Sequence, residues 1–253
     1  MYRANHYVKA QSLAQAWELN QKRANAILGG GCWMRLGRRK YDTLIDLSGL
    51  GLDQVTPRDG FLELGAMVTL RELECSPLLR EHFGTLFYDC TEHIVGVQFR
   101  NCATLGGSVN ARFGFSDILT ALLALDCQVE LYKGGLVPLE EFARRDYDRD
   151  VLCHVRLVPN GRRAVYESAR NSETDIPVLT CALSRLDGRL RAVIGARPGR
   201  SVVLEDVAEE ELVSRVQALE FGDNMRASGA YRRHLAGVLA QRALTRLKEA
   251  EQA

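Results

Sequence analysis

No sign of charge dominates this chain of 253 residues: 33 basic and 32 acidic side chains leave a formal net charge of +1. Without a field of one sign, the chain offers no footprint for nucleic acid or an anionic membrane. Basic runs such as Arg35-Leu36-Gly37-Arg38-Arg39-Lys40 read as solvated surface. No apolar run approaches the length of a membrane span. The opening residues Met1-Tyr2-Arg3-Ala4-Asn5-His6 lack the apolar stretch of a secretory signal, so the expected location is cytoplasmic. The seven cysteines (Cys32, Cys75, Cys90, Cys102, Cys127, Cys153 and Cys181) are odd in number and form no C-x-x-C pair. That pattern reads as reduced thiols, mostly small core residues, and it excludes a zinc or iron–sulfur centre held by this chain alone. The five histidines (His6, His82, His93, His154 and His234) give no i, i+4 pair and no H-E-x-x-H. No catalytic triad or dyad, internal repeat or low-complexity segment is present.

What is present is a succession of short α and β elements. Leu13, Ala16, Trp17 and Leu19 fall at helical spacing behind Ser12, which predicts an N-capped helix with Trp17 in the core. Ala26-Ile27-Leu28 and Thr43-Leu44-Ile45-Asp46-Leu47 read as strands separated by Gly29-Gly30-Gly31, a small α/β unit. Leu62–Ala66 reads as an edge strand or hairpin, followed by helices over Leu70–Cys75 and Leu78–Val97. Ser116 and Asp117 cap a helix running to Leu125, and Glu140-Glu141 favour a helix start after a proline. Val129–Tyr132 and Leu152–Leu157 alternate as strands. The turn-rich Pro159-Asn160-Gly161-Arg162-Arg163 predicts a domain boundary. Beyond it, Asp187-Gly188 between two apolar runs predicts a hairpin, and Tyr231, Leu235, Val238 and Leu239 predict a terminal helix.

The chemistry-bearing feature is a pair of glycine loops, Gly29–Gly31 and Gly106-Gly107. Neither has the G-x-G-x-x-G spacing, and no G-K-[ST] follows. Glycine loops after strands let backbone N–H groups reach a phosphate without a Cβ in the way, so one pyrophosphate bridging both loops would explain the pair. Asp117 would then accept from a sugar or sugar-alcohol hydroxyl. Two tight turns and a helix cap explain the same residues from spacing alone.

Three spaced motifs carry a resemblance. The run Arg100-Asn101-Cys102-Ala103-Thr104-Leu105-Gly106-Gly107-Ser108, with the Ser116–Leu125 segment after it, is similar to the pattern "RN-x-ATLGGN…D-x-x-x-ALLALDA-x-V". Ile27–Cys32 and Thr43–Leu47 are similar to "AGGT/S…LIDL", and Asn224–Leu235 resembles "D-x-RAS-x-xYRRHL". Together they resemble the FAD-binding medium subunit of the molybdenum hydroxylases, the xanthine dehydrogenase and carbon monoxide dehydrogenase family, over nearly the whole chain.

The resemblance implies an α+β fold. A two-lobed FAD-binding domain of the vanillyl-alcohol-oxidase (PCMH) type would span residues 1–160, with lobes of about 1–50 and 51–160. A C-terminal domain of residues 161–253 would hold a three-stranded antiparallel sheet and a helical bundle. The resemblance assigns FAD to Leu28, Gly29, Gly30, Gly31, Cys32, Thr104, Gly106, Gly107 and Ser108. It sets Asp117 on the ribityl side, and Trp33, just past the first loop, is positioned to pack on the cofactor. The chain departs from the pattern at Cys32, where Thr or Ser is usual, and at Ser108, where Asn is frequent. A flavin-edge lysine is absent near Glu167, and Arg170 is read as structural. The implied activity is electron transfer within an oxidoreductase. A partner would hold the molybdenum cofactor and oxidise the substrate, xanthine or another N-heterocycle; a second would hold iron–sulfur clusters, and NAD or another acceptor would take the electrons. A stand-alone flavoprotein oxidoreductase, and a non-catalytic scaffold subunit that has lost FAD, remain alternatives.

Overall fold

In a computed structural model the described residues are 2–252, and they form two compact units. The first gathers the chain up to Glu72 with Val97–Ala111 and Cys127–Val158. The second gathers Leu73–Gly96, Arg112–Asp126 and the chain from Pro159 onward.

The first unit holds two sheets. One is parallel and three-stranded, with Lys40–Asp46 between Arg3–Lys9 and Ala26–Leu28. A central parallel strand is buried on both faces, which fits the apolar end of this one, where Leu44 and Ile45 are buried. The predicted first helix runs Leu13–Asn20, and Ser12 caps it by accepting from the Gln15 N–H. The other sheet is antiparallel and five-stranded, in the order Val55–Arg58, Phe61–Gly65, Leu152–Leu157, Cys127–Leu131, Gly135–Pro138. Phe61–Gly65 is therefore a hairpin strand but not an edge, since Leu152–Leu157 pairs along its other side. Ala10, Ala16, Ile45, Leu52 and Cys153 share one buried cluster, so the core of this unit joins both sheets.

The second unit is built on an antiparallel sheet of four strands, Val202–Val207, Arg189–Gly195, Leu179–Leu186 and Arg163–Ala169. The resemblance anticipates three, and the residue pattern alone predicts only the two strands of the hairpin. The fourth, Val202–Val207, is a half-exposed edge that runs from Val202-Val203-Leu204 into Glu205-Asp206, so no clean alternation marks it. The hairpin turn is as expected, with positive φ at Asp187 and Gly188. Leu179–Leu186 is buried on both faces. Leu179, Cys181 and Leu183 join the cluster under the helices Leu212–Gln217 and Gly229–Gln252. On its other face Thr180 meets Thr120 (Oγ1–Oγ1 3.0 Å), and Ser184 donates to the Ala124 carbonyl at 2.6 Å. That face carries the helix Asp117–Leu123, whose cap is Ser116 alone; Asp117 sits in its first turn. The expected Leu78–Val97 helix is split at Gly84, at φ 60°, into Pro77–Phe83 and Leu86–Thr91.

All seven cysteines are free. Cys90, Cys153 and Cys181 are buried, Cys32 and Cys127 are half-buried, and Cys75 and Cys102 are exposed, so fewer than half are core residues. Among the described residues no helix is long and apolar enough to cross a membrane.

Candidate functional site

The two glycine loops, more than seventy positions apart, meet within the first unit. A Cβ on Gly30 would lie 1.8 Å from the Cys102 carbonyl oxygen, and one on Gly29 would lie 3.0 Å from Thr104 Oγ1 and 3.4 Å from Gly107 Cα. From the other side, a Cβ on Gly107 would come within 3.0 Å of the Gly29 carbonyl oxygen. Each loop thus fills the space that side chains on the other would need. Gly30 and Gly31 also stand at φ 72° and 71°, a region L side chains rarely adopt.

The loops differ in where their N–H groups go. In the second, Thr104 caps the helix Leu105–Asn110. The Leu105 N–H donates to the Val68 carbonyl and the Gly106 N–H to the Ala66 carbonyl, both at 2.8 Å. The Gly107 N–H donates to Thr104 Oγ1 at 3.1 Å, and the Ser108 N–H to the Thr104 carbonyl at 3.0 Å. The Ser108 hydroxyl donates to the same carbonyl. In the first loop the Gly31 carbonyl accepts from the Arg35 N–H at 3.0 Å. Among the described residues the N–H groups of Gly30, Gly31 and Cys32 find no acceptor, and Gly31 is buried. A buried donor without a partner is costly. These three successive amides therefore fit an anionic group such as a diphosphate, which would take their hydrogen bonds. The two loops thus differ: the first holds the unbonded donors, the second a closed set of hydrogen bonds.

The flanking residues fall as follows. Leu28 ends its strand in register with Asp46. Asp46 accepts from the Tyr7 hydroxyl, from the Ser48 N–H at 2.9 Å and from the Ser48 hydroxyl at 2.8 Å. Burial pushes its carboxyl up, yet those hydrogen bonds and the charge of Lys9 hold it below the usual range. Cys32 opens the short helix Cys32–Leu36, and its thiol is pushed up by burial and by the nearby Cys102. Trp33 is 43% exposed.

Asp117 lies in the second unit and is 7% exposed. Its Oδ1 accepts from the Tyr166 hydroxyl and from Arg170 Nη2, while Arg170 Nη1 donates to the Asp175 carbonyl at 2.6 Å. Burial pushes the Asp117 carboxyl up against the pull of Arg170 and Tyr166, and it pushes the neighbouring Cys90 thiol well up. Arg170 thus ties Asp117 to the Asp175 carbonyl, and Glu167 pairs with Arg246 at 2.8 Å. The C-terminal motif is also architectural. Arg232, 1% exposed, donates to the carbonyls of Val178, Gly222 and Ala227 and to Asn224 Oδ1, at 2.6–2.9 Å.

One polar cluster went unread in the sequence, because its members come from three strands. Glu63, Glu130 and His154 bring potential metal-ligand atoms within 4.8 Å of one another on the five-stranded sheet. Arg58 binds Glu63 at 2.9 Å, and Arg156 lies 3.5 Å from Glu63 and 3.0 Å from Glu130. Two guanidiniums balance two carboxylates there, which makes it an ion-pair network rather than a cation site.

Comparison with known proteins follows this geometry. Residues 2–158 match the family described as the FAD binding domain in molybdopterin dehydrogenase. The uncharacterized protein YgfM of Escherichia coli is 26% identical over 248 residues, covering 92% of this chain and 92% of its own length. The putative xanthine dehydrogenase FAD-binding subunit XdhB of Escherichia coli is 27% identical over 202 residues, covering 72% of this chain and 68% of its own. Among solved structures, a chain of the cyanide-inactivated Cu,Mo-CO dehydrogenase superposes with a TM-score of 0.85 at 21% identity, covering 97% of this chain and 98% of that one. That last likeness is one of fold.

Proposed function

This chain belongs to the family of FAD-binding domains in molybdopterin dehydrogenases, and from that premise we propose that it is the electron-transfer subunit of a molybdenum hydroxylase. The observation that carries the proposal is the meeting of the two glycine loops, with the N–H groups of Gly30, Gly31 and Cys32 left for an anion. In this reading Leu28, Gly29, Gly30, Gly31, Cys32 and Trp33 form the donor side of the FAD site. Thr104, Gly106, Gly107 and Ser108 form its wall, fixed by hydrogen bonds to Thr104 and to the Ala66 carbonyl. Asp117 enters on the ribityl side only as the family resemblance has it.

FAD, when bound, accepts electrons singly and passes them on as a pair. The chain's own part is to bind and orient. Three amides would hold the diphosphate, glycine would permit their close approach, and Asp46 with Tyr7 and Ser48 fixes the strand end from which the first loop departs. No side chain here is assigned a proton transfer with substrate. Substrate oxidation would occur on a partner with the molybdenum cofactor, and electrons would arrive through a partner with iron–sulfur clusters and leave to NAD or another acceptor. An N-heterocycle such as xanthine is the proposed substrate class, supported by the putative xanthine dehydrogenase relative. The finer fold assignment, a two-lobed flavin domain of the vanillyl-alcohol-oxidase type, is supported by the parallel and antiparallel sheets of the first unit.

The test is an absorption spectrum of the purified chain, with the cofactor released by denaturation and identified. A flavin spectrum and released FAD are expected. A colourless protein that stays colourless with added FAD would overturn the proposal and leave a scaffolding role.

A further inference from the structure

We propose that the Tyr2 hydroxyl is a fourth donor at the first glycine loop, binding the diphosphate together with the amides of Gly30, Gly31 and Cys32. The geometry starts at Gly31. A Cβ on that residue would meet two groups within 4 Å beyond its chain neighbours, Leu28 Cδ1 at 3.1 Å and Tyr2 Oη at 3.5 Å. The polar side-chain atom packed against this glycine is therefore the phenol oxygen. Two bonds separate that Cβ from the Gly31 nitrogen, so the hydroxyl stands within about 6 Å of the N–H. A phosphate group is wide enough to accept from both, each hydrogen bond being about 2.9 Å long.

The hydroxyl has capacity to give. Tyr2 is half-buried, and among the described residues its Oη makes no hydrogen bond. A tyrosine hydroxyl in partly buried surroundings ordinarily has a partner, and an anion on the neighbouring amides would supply one. The ring is also held in place. It meets Tyr41 edge-on, with centroids 6.2 Å apart and planes at 76°, and the Arg39 guanidinium lies 5.1 Å from the centre of the Tyr41 ring. Arg39 is anchored in turn, donating from Nη2 to the Arg23 carbonyl at 3.0 Å. The residues after Tyr2 are fixed to the same strand as Tyr41: the Arg3 N–H donates to the Arg39 carbonyl at 3.3 Å, and Ala4 pairs with Tyr41. A donor ordered before binding loses little rotamer freedom on binding. The Arg39 charge beyond Tyr41 has the sign that favours an anion. The name of the ligand rests on the proposed FAD site, whereas the donor set is defined without the flavin.

The experiment is calorimetric titration of the full, flavin-free chain with FAD and, separately, with inorganic diphosphate. Tyr2→Phe keeps the ring and its contact with Tyr41 and removes only the hydroxyl. The variant is expected to bind both ligands about tenfold more weakly, by the same factor, as befits one hydrogen bond to a charged group. Its unfolding midpoint without ligand is expected to match that of the unaltered chain. FAD bound equally tightly by both chains would overturn the role of Tyr2 and leave the cofactor reading standing. A loss for FAD with none for diphosphate would overturn the assignment to the diphosphate, and a lowered midpoint with unchanged affinities would make Tyr2 a packing residue. If diphosphate binds and Tyr2→Phe weakens it while FAD never binds, the donor is sustained and the cofactor reading sinks; if neither ligand binds the unaltered chain, both fall.

Discussion

The two glycine loops look alike in sequence and do opposite things in the fold. The Thr104–Ser108 loop turns into a helix at once, and every N–H from Leu105 to Ser108 is bonded within the unit. Its glycines serve packing: a Cβ on Gly106 would lie 2.7 Å from the Cβ and carbonyl oxygen of Ala66. The Gly29–Gly31 loop takes two successive residues into positive φ and leaves three amides without acceptors. A glycine pair is therefore no measure of phosphate affinity. What matters is whether the amides beside it already have partners.

The comparison breaks most readily at Gly30. Gly30→Ala forces a Cβ onto a backbone carbonyl at positive φ, and a loss of about 3 kcal/mol or more is expected in urea unfolding. Gly51→Ala, at φ +68° with nothing within 4 Å, should lose only about 1 kcal/mol. Equal losses would show that loop-to-loop contact does not constrain the first loop. Amide exchange sharpens the contrast next. In the flavin-free chain the amides of Gly30, Gly31 and Cys32 should exchange at least about 100-fold faster than those of Leu105 to Ser108, and saturating FAD should protect them. Similar rates in both loops would contradict the bonding described here.

Acid should then separate the loops. The folded Asp46 carboxyl is more acidic than its ordinary value of 3.8, so folding favours its ionised form. That stabilisation is complete above the unfolded value and is lost as pH falls through the folded one. The supports of the second loop, the Val68 and Ala66 carbonyls and the Thr104 hydroxyl, do not titrate. Acid below about pH 4 should loosen the first loop before the second, and Asp46→Asn should remove that difference, with exchange at Gly31 as the readout. The smallest effect belongs to Thr104→Val, which keeps the shape but removes the acceptor of the Gly107 N–H. About 1 kcal/mol of stability should go, with the first-loop amides unchanged; a larger loss of FAD affinity than of stability would show that Thr104 also touches the cofactor.

Much of the fold was legible in the chain. Ser12 and Ser116 announce their helices through caps, and Asp187-Gly188 announces its hairpin through a turn that needs positive φ. These are local effects, fixed within three or four residues. Leu152–Leu157 was found because one-sided burial leaves an alternating trace. Val202–Val207 was missed because a half-exposed edge leaves none. Both glycine loops were visible, as was Asp117, but not that Tyr166 and Arg170 converge on its carboxylate from a strand and the loop after it. The Glu63–Glu130–His154 cluster was out of reach for the same reason.

By itself, then, the sequence determined where the chain turns, which faces are apolar and where glycine is placed, since caps, turns and burial periodicity act between near neighbours. Only the tertiary structure decided which glycine a side chain would clash with, which amides keep a free hydrogen, and that Arg232 is a buried hub rather than a surface charge. Those outcomes depend on contacts between segments far apart in the chain, whose distance of approach is set by packing of the whole unit and leaves no periodic mark in either segment.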